Sequence, residues 1–433
     1  MKIKTYERPY EEVAALPRPP HKRPRRPSFF WHTAARLVSI PSLISTHFTC
    51  RRVRETEPRE PVLILMNHSC FMDLKVASRI LYPRRFGVVC TTDGMVGKRW
   101  LMRGLGCIPT QKFVTDMTLI RDMKHMLEKN KADVLLFPEA GYSFDGRATT
   151  LPDSLGSLCK MLDVPVMTII TRGAFLRDPL YNGLQLRKTR VTAEFKCLFS
   201  RETLQKSDAS TLQAAIEKTF SFDQLADQYE HGIRVDEPYR ADGLHRILYK
   251  CPACLSEGHM EGKGITLTCH ACGKSWTLTE LGRMEATTGE TEYPHIPDWY
   301  DWERTAVRAE LEAGTYRLDT SVRIGMMVDE KGLYMVGDGR LTHDCNGFTL
   351  DGCNGKLHYE QKPRASHSLN ADFFWYEIGD VIGLGNRDAL YYCFPNAADG
   401  VIPPVAKVRL ATEELYRMTA PPLRRRESPA TDP

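Results

Sequence analysis

Between residues 61 and 200, short apolar runs alternate with stretches of helical periodicity, and this alternation constrains the fold more than any other feature of the sequence. Four runs rich in Val, Ile and Leu predict buried strands, at residues 62–67, 86–92, 133–139 and 164–173. Residues 73–81 and 117–130, which lie between runs, predict helices. Such alternation is typical of an α/β layer with a mostly parallel sheet, where ligands bind at the strand ends.

Residues 67–73, with the sequence Asn-His-Ser-Cys-Phe-Met-Asp, follow the first of these strands and open the next helix. We expect His68 in the strand-to-helix turn and Asp73 in the first helical turn, where the helix dipole favours a carboxylate. An aspartate that folds back onto one imidazole nitrogen leaves the other nitrogen free as a base. The pair would then act like the His-Asp part of a catalytic triad, with a substrate hydroxyl in place of the serine. Alone, this spacing is a weak signal.

Three further blocks follow the first block (residues 67–73) in order. The second block is GKRWLMRGLGCIPTQK at 97–112, the third is FPEAGYS at 137–143, and the fourth is VPVMTIITRG at 164–173. Four blocks in this order and spacing resemble the glycerolipid acyltransferase family, which contains the lysophosphatidate acyltransferases. Its first block is NHxxxxD, which matches fully here, and its third is FPEGTRS-like. The resemblance covers about residues 30–200.

The resemblance implies an acyltransferase that moves a fatty acyl group from acyl-CoA or acyl carrier protein to the hydroxyl of a lysophospholipid. The expected acceptor is 1-acylglycerol 3-phosphate, in phospholipid biosynthesis. His68 takes the role of the base and Asp73 the role of the residue that orients it. Glu139 helps to build the acceptor site, and Gly141 lets the backbone approach the substrate closely. The reaction itself is expected to need no cofactor.

Two positions depart from the family pattern. Tyr142 stands where the family has its third-block arginine, and Lys112 corresponds to the second-block arginine. Lysine binds phosphate as a point charge but lacks the bidentate fork of arginine. Arg147 is the candidate for the missing guanidinium, the alternative being a solvated surface residue. An acyltransferase for a different, non-phosphorylated acceptor therefore stays open, as does a non-catalytic scaffold bound to membrane or nucleic acid.

Basic and apolar segments follow one another near the N-terminus. Five basic residues crowd a proline-rich stretch, Arg18, Lys22, Arg23, Arg25 and Arg26. This stretch cannot be a helix interior and predicts a flexible basic arm. Residues 29–50 then place apolar side chains at helical spacing with Arg36 as their one Lys, Arg, Asp or Glu residue. This segment is either a helix packed on the neighbouring domain or an interfacial helix on an anionic membrane surface, assisted by the arm.

Four of the thirteen cysteines form two CxxC pairs, Cys251 with Cys254 and Cys269 with Cys272, separated by fourteen residues. Two such pairs are typical of a closed, structural four-cysteine zinc site in a zinc ribbon, and chance pairs or redox thiols fit the spacing less well. Many zinc ribbons bind nucleic acid. Residues 251–272 contain one basic residue, Lys263, and two glutamates. They therefore lack the row of basic residues with aromatic residues between them that is typical of a nucleic-acid-binding surface. We therefore expect no nucleic-acid partner.

A chain of 433 residues is too long for one ordinary core, so several domains are expected. No secretory signal is visible, and no segment has the roughly 18–20 apolar residues that span a bilayer. We expect a peripheral protein on the cytoplasmic face of the membrane. The expected organisation is a flexible basic arm (1–28), an amphipathic membrane-interface helix (29–56), an α/β acyltransferase domain (57–235), a zinc ribbon (236–285), a β-rich domain (286–418) and a disordered tail (419–433). Within the β-rich domain, residues from about 310 to 415 are expected to be all-β.

Overall fold

The computed structural model describes residues 2–53, 58–114, 116–396 and 403–419. Within this part of the chain, the N-terminal segment contains one short strand and two helices. These are β1 (Thr5–Glu7), α1 (Tyr10–Ala14) and α2 (Phe29–Ser45).

An α/β layer follows, built on a seven-stranded sheet with the order β2-β8-β7-β3-β6-β4-β5. Its strands are β2 (Thr49–Arg52), β3 (Leu63–Met66), β4 (Phe86–Thr91), β5 (Ile108–Thr110), β6 (Asp133–Leu136), β7 (Val166–Arg172) and β8 (Thr192–Phe199). Its helices are α3 (Met72–Leu81), α4 (Arg99–Gly104), α5 (Met117–Glu128), α6 (Leu155–Leu162), α7 (Ala174–Arg177), α8 (Arg201–Lys206), α9 (Ala209–Phe220) and α10 (Gln224–Glu230). Five strand pairs are parallel and only β7 and β8 are antiparallel, so the mostly parallel sheet that the sequence predicted is present.

All four residues of β3 are buried, because this central strand has helices on both faces of the sheet. Ile64 and Met66 face a core shared with α3, while Leu63 and Leu65 face a core shared with α5, α6 and α9. A continuous apolar run is the sequence signature of a strand covered on both sides. The first block begins where this strand ends.

The cysteine module is a four-stranded antiparallel sheet with the order β12-β11-β10-β9. Its strands are β9 (Met260–Lys263), β10 (Thr266–Cys269), β11 (Ser275–Leu278) and β12 (Met284–Ala286). Trp276 on β11 packs edge-on against Trp299 at a centroid distance of 5.0 Å, and both indoles are fully buried. The module therefore shares one hydrophobic core with the C-terminal region.

The C-terminal region forms a second large sheet with the order β16-β15-β14-β13-β19-β18-β17, and its strands pair with each other antiparallel. Its strands are β13 (Leu318–Met327), β14 (Leu333–Asp344), β15 (Gly347–Gly352), β16 (Leu357–Gln361), β17 (Asn370–Trp375), β18 (Gly379–Gly385) and β19 (Leu390–Pro395). We call this sheet, with the helices packed on it, the β-domain.

The β-domain is not all-β as predicted, because it also contains α11 (Ile296–Glu312) and α12 (Val405–Met418), which pack against each other. A signal for α11 was present in the sequence: Pro297 stands at its first turn, and the buried residues Trp299, Val307 and Leu311 recur at helical spacing. Other aromatic residues lie close to Trp299 and make this helical spacing hard to recognise in the sequence.

The N-terminal arm is not flexible as predicted. Strand β1 pairs in parallel with β14, with Thr5 opposite Leu333, and Val13 is fully buried in the core of the β-domain. Further along, Arg103 donates hydrogen bonds to the carbonyls of Lys22 and Arg23. Pro24 and Pro27 of this segment are buried, so the arm packs against the rest of the protein. Of the predicted disordered tail, residues 420–433 lie outside the described residues.

Candidate active site

Asn67 fixes the end of β3 against the end of β7. Its buried side chain donates to the carbonyl of Thr171 at 3.1 Å and accepts from the amide and hydroxyl of the same residue at 2.8 and 3.1 Å. These hydrogen bonds fix the direction in which the first block leaves the sheet. Sequence reasoning gave Asn67 no role although it belongs to the block.

Asp73 folds back onto His68 as the sequence predicted. Its Oδ2 lies 3.0 Å from Nδ1 of His68 and accepts hydrogen bonds from the amides of Ser69 and Cys70 at 2.7 and 3.1 Å. The carboxylate is 1% exposed and stands in the first turn of α3, where the helix dipole favours negative charge. Nδ1 is thereby assigned as the donor to Asp73, and Nε2 keeps its lone pair.

Two aromatic rings hold the imidazole of His68. Phe137 stacks on it with centroids 4.1 Å apart and planes inclined by 24°, and Tyr142 lies 4.2 Å away at 39°. The His68 side chain remains 22% exposed, and Nε2 has no hydrogen-bond partner among the described residues. A base with one nitrogen oriented and the other open to solvent can take a proton from a bound hydroxyl.

Glu139 connects the first and third blocks. It is fully buried, with Oε1 accepting from the amide of His68 at 3.1 Å and Oε2 accepting from the amide of Thr149 at 3.1 Å. Burial raises the pKa of Glu139 to about 8, although both backbone donors lower it. Because its two oxygens bind backbone amides, this residue positions the loop that carries His68.

Gly141 lies in the third-block loop, and its close approach to the substrate stays a prediction. The positive φ of this loop, 52°, belongs to Ala140. A Cβ added at Gly141 would meet Cζ of Phe113 at 3.8 Å, which is ordinary contact. Gly141 is therefore the residue of the third block that Phe113, the neighbour of Lys112, approaches.

The two predicted phosphate-binding cations, Lys112 and Arg147, line different cavities. The ammonium of Lys112 has no ion pair among the described residues, and its cavity lies beside the β-domain. Arg147, by contrast, pairs with Asp145 and with Asp301 on α11, the latter at 2.7 Å. Its guanidinium therefore takes part in an interdomain contact, and its role as a phosphate ligand stays a prediction.

Arg409 reaches the third block from the C-terminal helix α12, and sequence reasoning missed it. Its guanidinium lies 4.2 Å from the ring of Phe144 and donates to the carbonyl of Tyr142 at 3.3 Å. The buried carboxylate of Glu413 pairs with Arg409 at 3.1 Å and with Arg304 at 2.8 Å. Nothing in the local sequence could indicate this contact, because the partners are 267 residues apart.

Cys70, inside the first block, has the environment of a packing residue. Its thiol is buried and donates to the carbonyl of Ala174 at 3.3 Å. Burial raises the pKa of Cys70 well above its usual value, and the nearby Asp73 carboxylate raises it further. A thiolate nucleophile is therefore disfavoured here.

The four cysteines of the two CxxC pairs converge on one point. All four sulfurs lie within 4.8 Å of one another, with Cys251 and Cys272 separated by 3.8 Å and Cys254 and Cys269 by 3.7 Å. A tetrahedron of thiolates around zinc, with Zn–S bonds of about 2.3 Å, has sulfur–sulfur edges of roughly 3.8 Å. The donor set and spacing therefore fit one metal ion, at a distance in sequence from the first block.

A comparison with known proteins finds a family match within the α/β layer. Residues 47–172 match the family model described as Acyltransferase, and this range contains the first three blocks and nearly all of the fourth. The chain is also similar to the 1-acyl-sn-glycerophosphate (LPA) acyltransferase PlsC from Thermotoga maritima, with 14% identity and a TM-score of 0.35 over 43% of this chain and 76% of that chain. No curated protein matches the chain.

Proposed function

Because residues 47–172 form a domain of the acyltransferase family, we propose that this protein transfers a fatty acyl group from a thioester donor to the hydroxyl of an amphiphilic acceptor. One observation carries the proposal: Oδ2 of Asp73 lies 3.0 Å from Nδ1 of His68, which leaves Nε2 open. The expected donors are acyl-CoA and acyl carrier protein, and the expected acceptor is a lysolipid.

In the proposed reaction, Nε2 of His68 takes the proton of the acceptor hydroxyl as its oxygen attacks the thioester carbonyl. Asp73 stabilises the imidazolium that forms, because its carboxylate is buried next to Nδ1. When the carbon–sulfur bond breaks, the imidazolium returns the proton to the departing thiolate. The products are an ester and a free thiol, and the enzyme regains its initial state without a covalent intermediate.

The surface of α2 supports a membrane-associated acyltransferase. Most of its large apolar side chains point outward, with Val38 77% and Ile44 69% exposed, whereas Leu43 and the polar residues His32 and Ser39 are buried. A helix that packed on the neighbouring domain by its apolar face would show the opposite pattern. Exposed apolar patches of this kind mark interaction surfaces.

None of the helices in the described residues has the length and apolar character to cross a bilayer.

The helix is shorter than the predicted 29–56 segment, because it ends at Ser45 and the chain then forms the edge strand β2. Four basic side chains, Lys22, Arg23, Arg25 and Arg26, are exposed shortly before it. Basic residues next to an interfacial helix each contribute about 1 kcal/mol on an anionic surface. We propose that α2 and the preceding basic segment bind the protein peripherally to the cytoplasmic face of the membrane.

The cysteine cluster supports a structural zinc ion in this proposal. Cys251 and Cys269 are buried in the core that the ribbon shares with the β-domain, so a bound ion would stabilise that core rather than act on substrate. Closed zinc sites with four cysteine ligands offer no position for water or substrate. The acyl transfer uses His68 and Asp73 and is proposed to need no cofactor.

The experiment that tests this function is incubation of the purified chain with labelled acyl thioesters and a panel of hydroxyl acceptors. The panel contains 1-acylglycerol 3-phosphate, other lysophospholipids and monoacylglycerols, and products are identified by mass spectrometry. An acylated acceptor, formed with wild-type protein and absent with His68→Ala, supports the proposal. Folded wild-type protein that acylates no member of the panel with either donor would overturn it.

A further inference from the structure

A cavity of about 590 Å³ lies between the segment that follows the third block and the two helices of the β-domain. Side chains of the 144–150 segment line it together with side chains of α11 and α12. All basic side chains that the described residues place in this lining are arginines, namely Arg147, Arg304, Arg409 and Arg417. We call it the arginine cavity. A guanidinium offers a planar pair of N–H donors, which matches the oxygens of a phosphate.

The α12 side of the arginine cavity carries more positive than negative charge. Two buried carboxylates of α12, those of Glu413 and Glu414, form ion pairs with four arginines, which are Arg304, Arg308, Arg409 and Arg417. Although burial raises the pKa of Glu413, Arg304 and Arg409 lower it to about 2, so this carboxylate is ionised. Four guanidiniums against two carboxylates leave an excess of two positive charges, which is the charge that a phosphate monoester neutralises.

The other carboxylates of the lining have partners of their own. Asp145 and Asp301 each pair with Arg147 at 2.7 Å. Asp223 pairs with His295 at 2.8 Å and caps α10. Because the negative charge of this side is centred on Arg147, we expect a bound anion at the α12 arginines rather than beside Arg147.

The α12 arginines keep unused hydrogen-bond donors. Arg409 donates through Nε to Glu413 and through Nη1 to the carbonyl of Tyr142, and its Nη2 has no acceptor among the described residues. Arg417 donates through Nη2 to the hydroxyl of Thr150 at 2.9 Å and pairs through Nη1 with Glu414, which leaves its Nε free within the same part of the chain. Since a guanidinium stays charged and rarely lacks acceptors when it is buried, these donors indicate a ligand with acceptor oxygens.

We propose that the arginine cavity binds a phosphate ester of one of the two substrates, with Arg304, Arg409 and Arg417 as its cations. This inference rests on the acyl-transfer function proposed above and specifies where a phosphorylated substrate is held. The buried glutamates already fix the guanidiniums, so little side-chain freedom is lost when the anion binds. The β-domain thereby contributes to substrate binding, although the acyltransferase match ends at residue 172.

Of the two substrates, acyl-CoA matches the arginine cavity better than a phosphorylated lysolipid. Arg409 contacts the main-chain carbonyl of Tyr142, whereas His68 packs against the ring of that residue, so Tyr142 lies between the cavity and the base. In 1-acylglycerol 3-phosphate only a few bonds separate the phosphate from the hydroxyl that is acylated. In acyl-CoA the long pantetheine arm separates the phosphates from the thioester, so the donor can reach both places.

The test uses two donors with the same acyl chain, acyl-CoA and acyl-pantetheine, which lacks the nucleotide and its phosphates. Each donor is combined with two acceptors, 1-acylglycerol 3-phosphate and 1-monoacylglycerol. Wild-type protein should prefer acyl-CoA over acyl-pantetheine in kcat/KM by about tenfold or more, the effect of one charge-assisted hydrogen bond. Arg417→Ala should raise KM for acyl-CoA about tenfold and leave KM for acyl-pantetheine at its wild-type value.

The matched control is Arg308→Ala. Arg308 also pairs with Glu414, and its side chain is 44% exposed against 41% for Arg417, but it does not line the arginine cavity. This variant should keep the wild-type KM for both donors. A loss in Arg417→Ala that appears only with 1-acylglycerol 3-phosphate, whichever donor is used, would support the phosphate site and identify the acceptor as its ligand.

Equal kinetic constants of Arg417→Ala and Arg308→Ala with every pair of substrates would overturn the inference. So would equal losses with phosphorylated and unphosphorylated substrates, since a purely structural role lowers all of these rates alike. If Arg417→Ala does not fold, the wild-type protein decides alone, and a preference for neither phosphorylated substrate overturns the inference. In each of these cases, His68-dependent transfer to any acceptor leaves the proposed function standing, whereas its absence counts against that function.

Discussion

The guanidinium of Arg409 donates a hydrogen bond to the carbonyl of Tyr142 at 3.3 Å, and the ring of Tyr142 lies against the imidazole of His68. The last described helix of the chain thus holds the loop that packs on the catalytic histidine. The β-domain therefore helps to hold His68 in position, and removing this domain should disturb the packing around His68.

Arg409→Ala should destabilise the protein by about 3 kcal/mol, the cost of breaking a buried ion pair by removing one partner. It should also lower kcat, because the third-block loop loses its anchor at Tyr142. Urea unfolding and initial rates measure the two effects. The control is Arg308→Ala, which removes a half-exposed pair with Glu414 and should cost no more than about 1 kcal/mol. Equal stability of both variants would contradict the contact.

The purified protein should contain one zinc ion per chain, measured by elemental analysis of material prepared without chelator. Cys254→Ser should lose the ion and lower the thermal midpoint, because the ribbon shares its core with the β-domain. Cys345→Ser, which replaces an exposed cysteine outside the cluster, should retain the ion. A wild-type protein that is free of metal after such a preparation would contradict the proposed zinc site.

Val38→Asp should weaken binding to anionic vesicles about tenfold or more, since it removes an apolar side chain and adds a negative charge on the exposed face of α2. The free energy of unfolding should change by no more than about 0.5 kcal/mol, because the side chain has few contacts in the protein. Leu255→Asp is the matched control, as Leu255 is 62% exposed on the ribbon. Identical vesicle binding by both variants would speak against α2 as the membrane surface.

The stability of the protein should depend on pH through Glu139. Its pKa is raised from 4.5 to about 8 by burial, so between these values the folded state holds a proton that the unfolded chain has released. The contribution of this carboxyl to stability therefore falls as pH rises from about 4.5 to 8 and is constant above that window. Urea midpoints of wild-type protein and Glu139→Gln across this range test the effect. The variant should lack this part of the slope, and an identical pH dependence would contradict it.

Local patterns in the sequence predicted the parts of the molecule that are themselves local. His68 and Asp73 are five residues apart on one strand-to-helix turn, and the cysteine pairs also depend on short spacings, so their geometry could be predicted. Arg147 could not be assigned in this way, because its partner Asp301 comes from a helix 154 residues later. Arg409 belongs to no motif and reaches Tyr142 only through the packing of α12 beside the third block.

The measurement that tests the proposed mechanism most directly is the initial rate of acyl transfer by His68→Ala, with circular dichroism to confirm the fold. The variant should be slower by about a hundred- to ten-thousand-fold, the usual cost of losing a general base. Asp73→Asn should also be impaired, because the amide keeps the shape but not the charge that stabilises an imidazolium. A folded His68→Ala variant with a near-normal rate would contradict the mechanism.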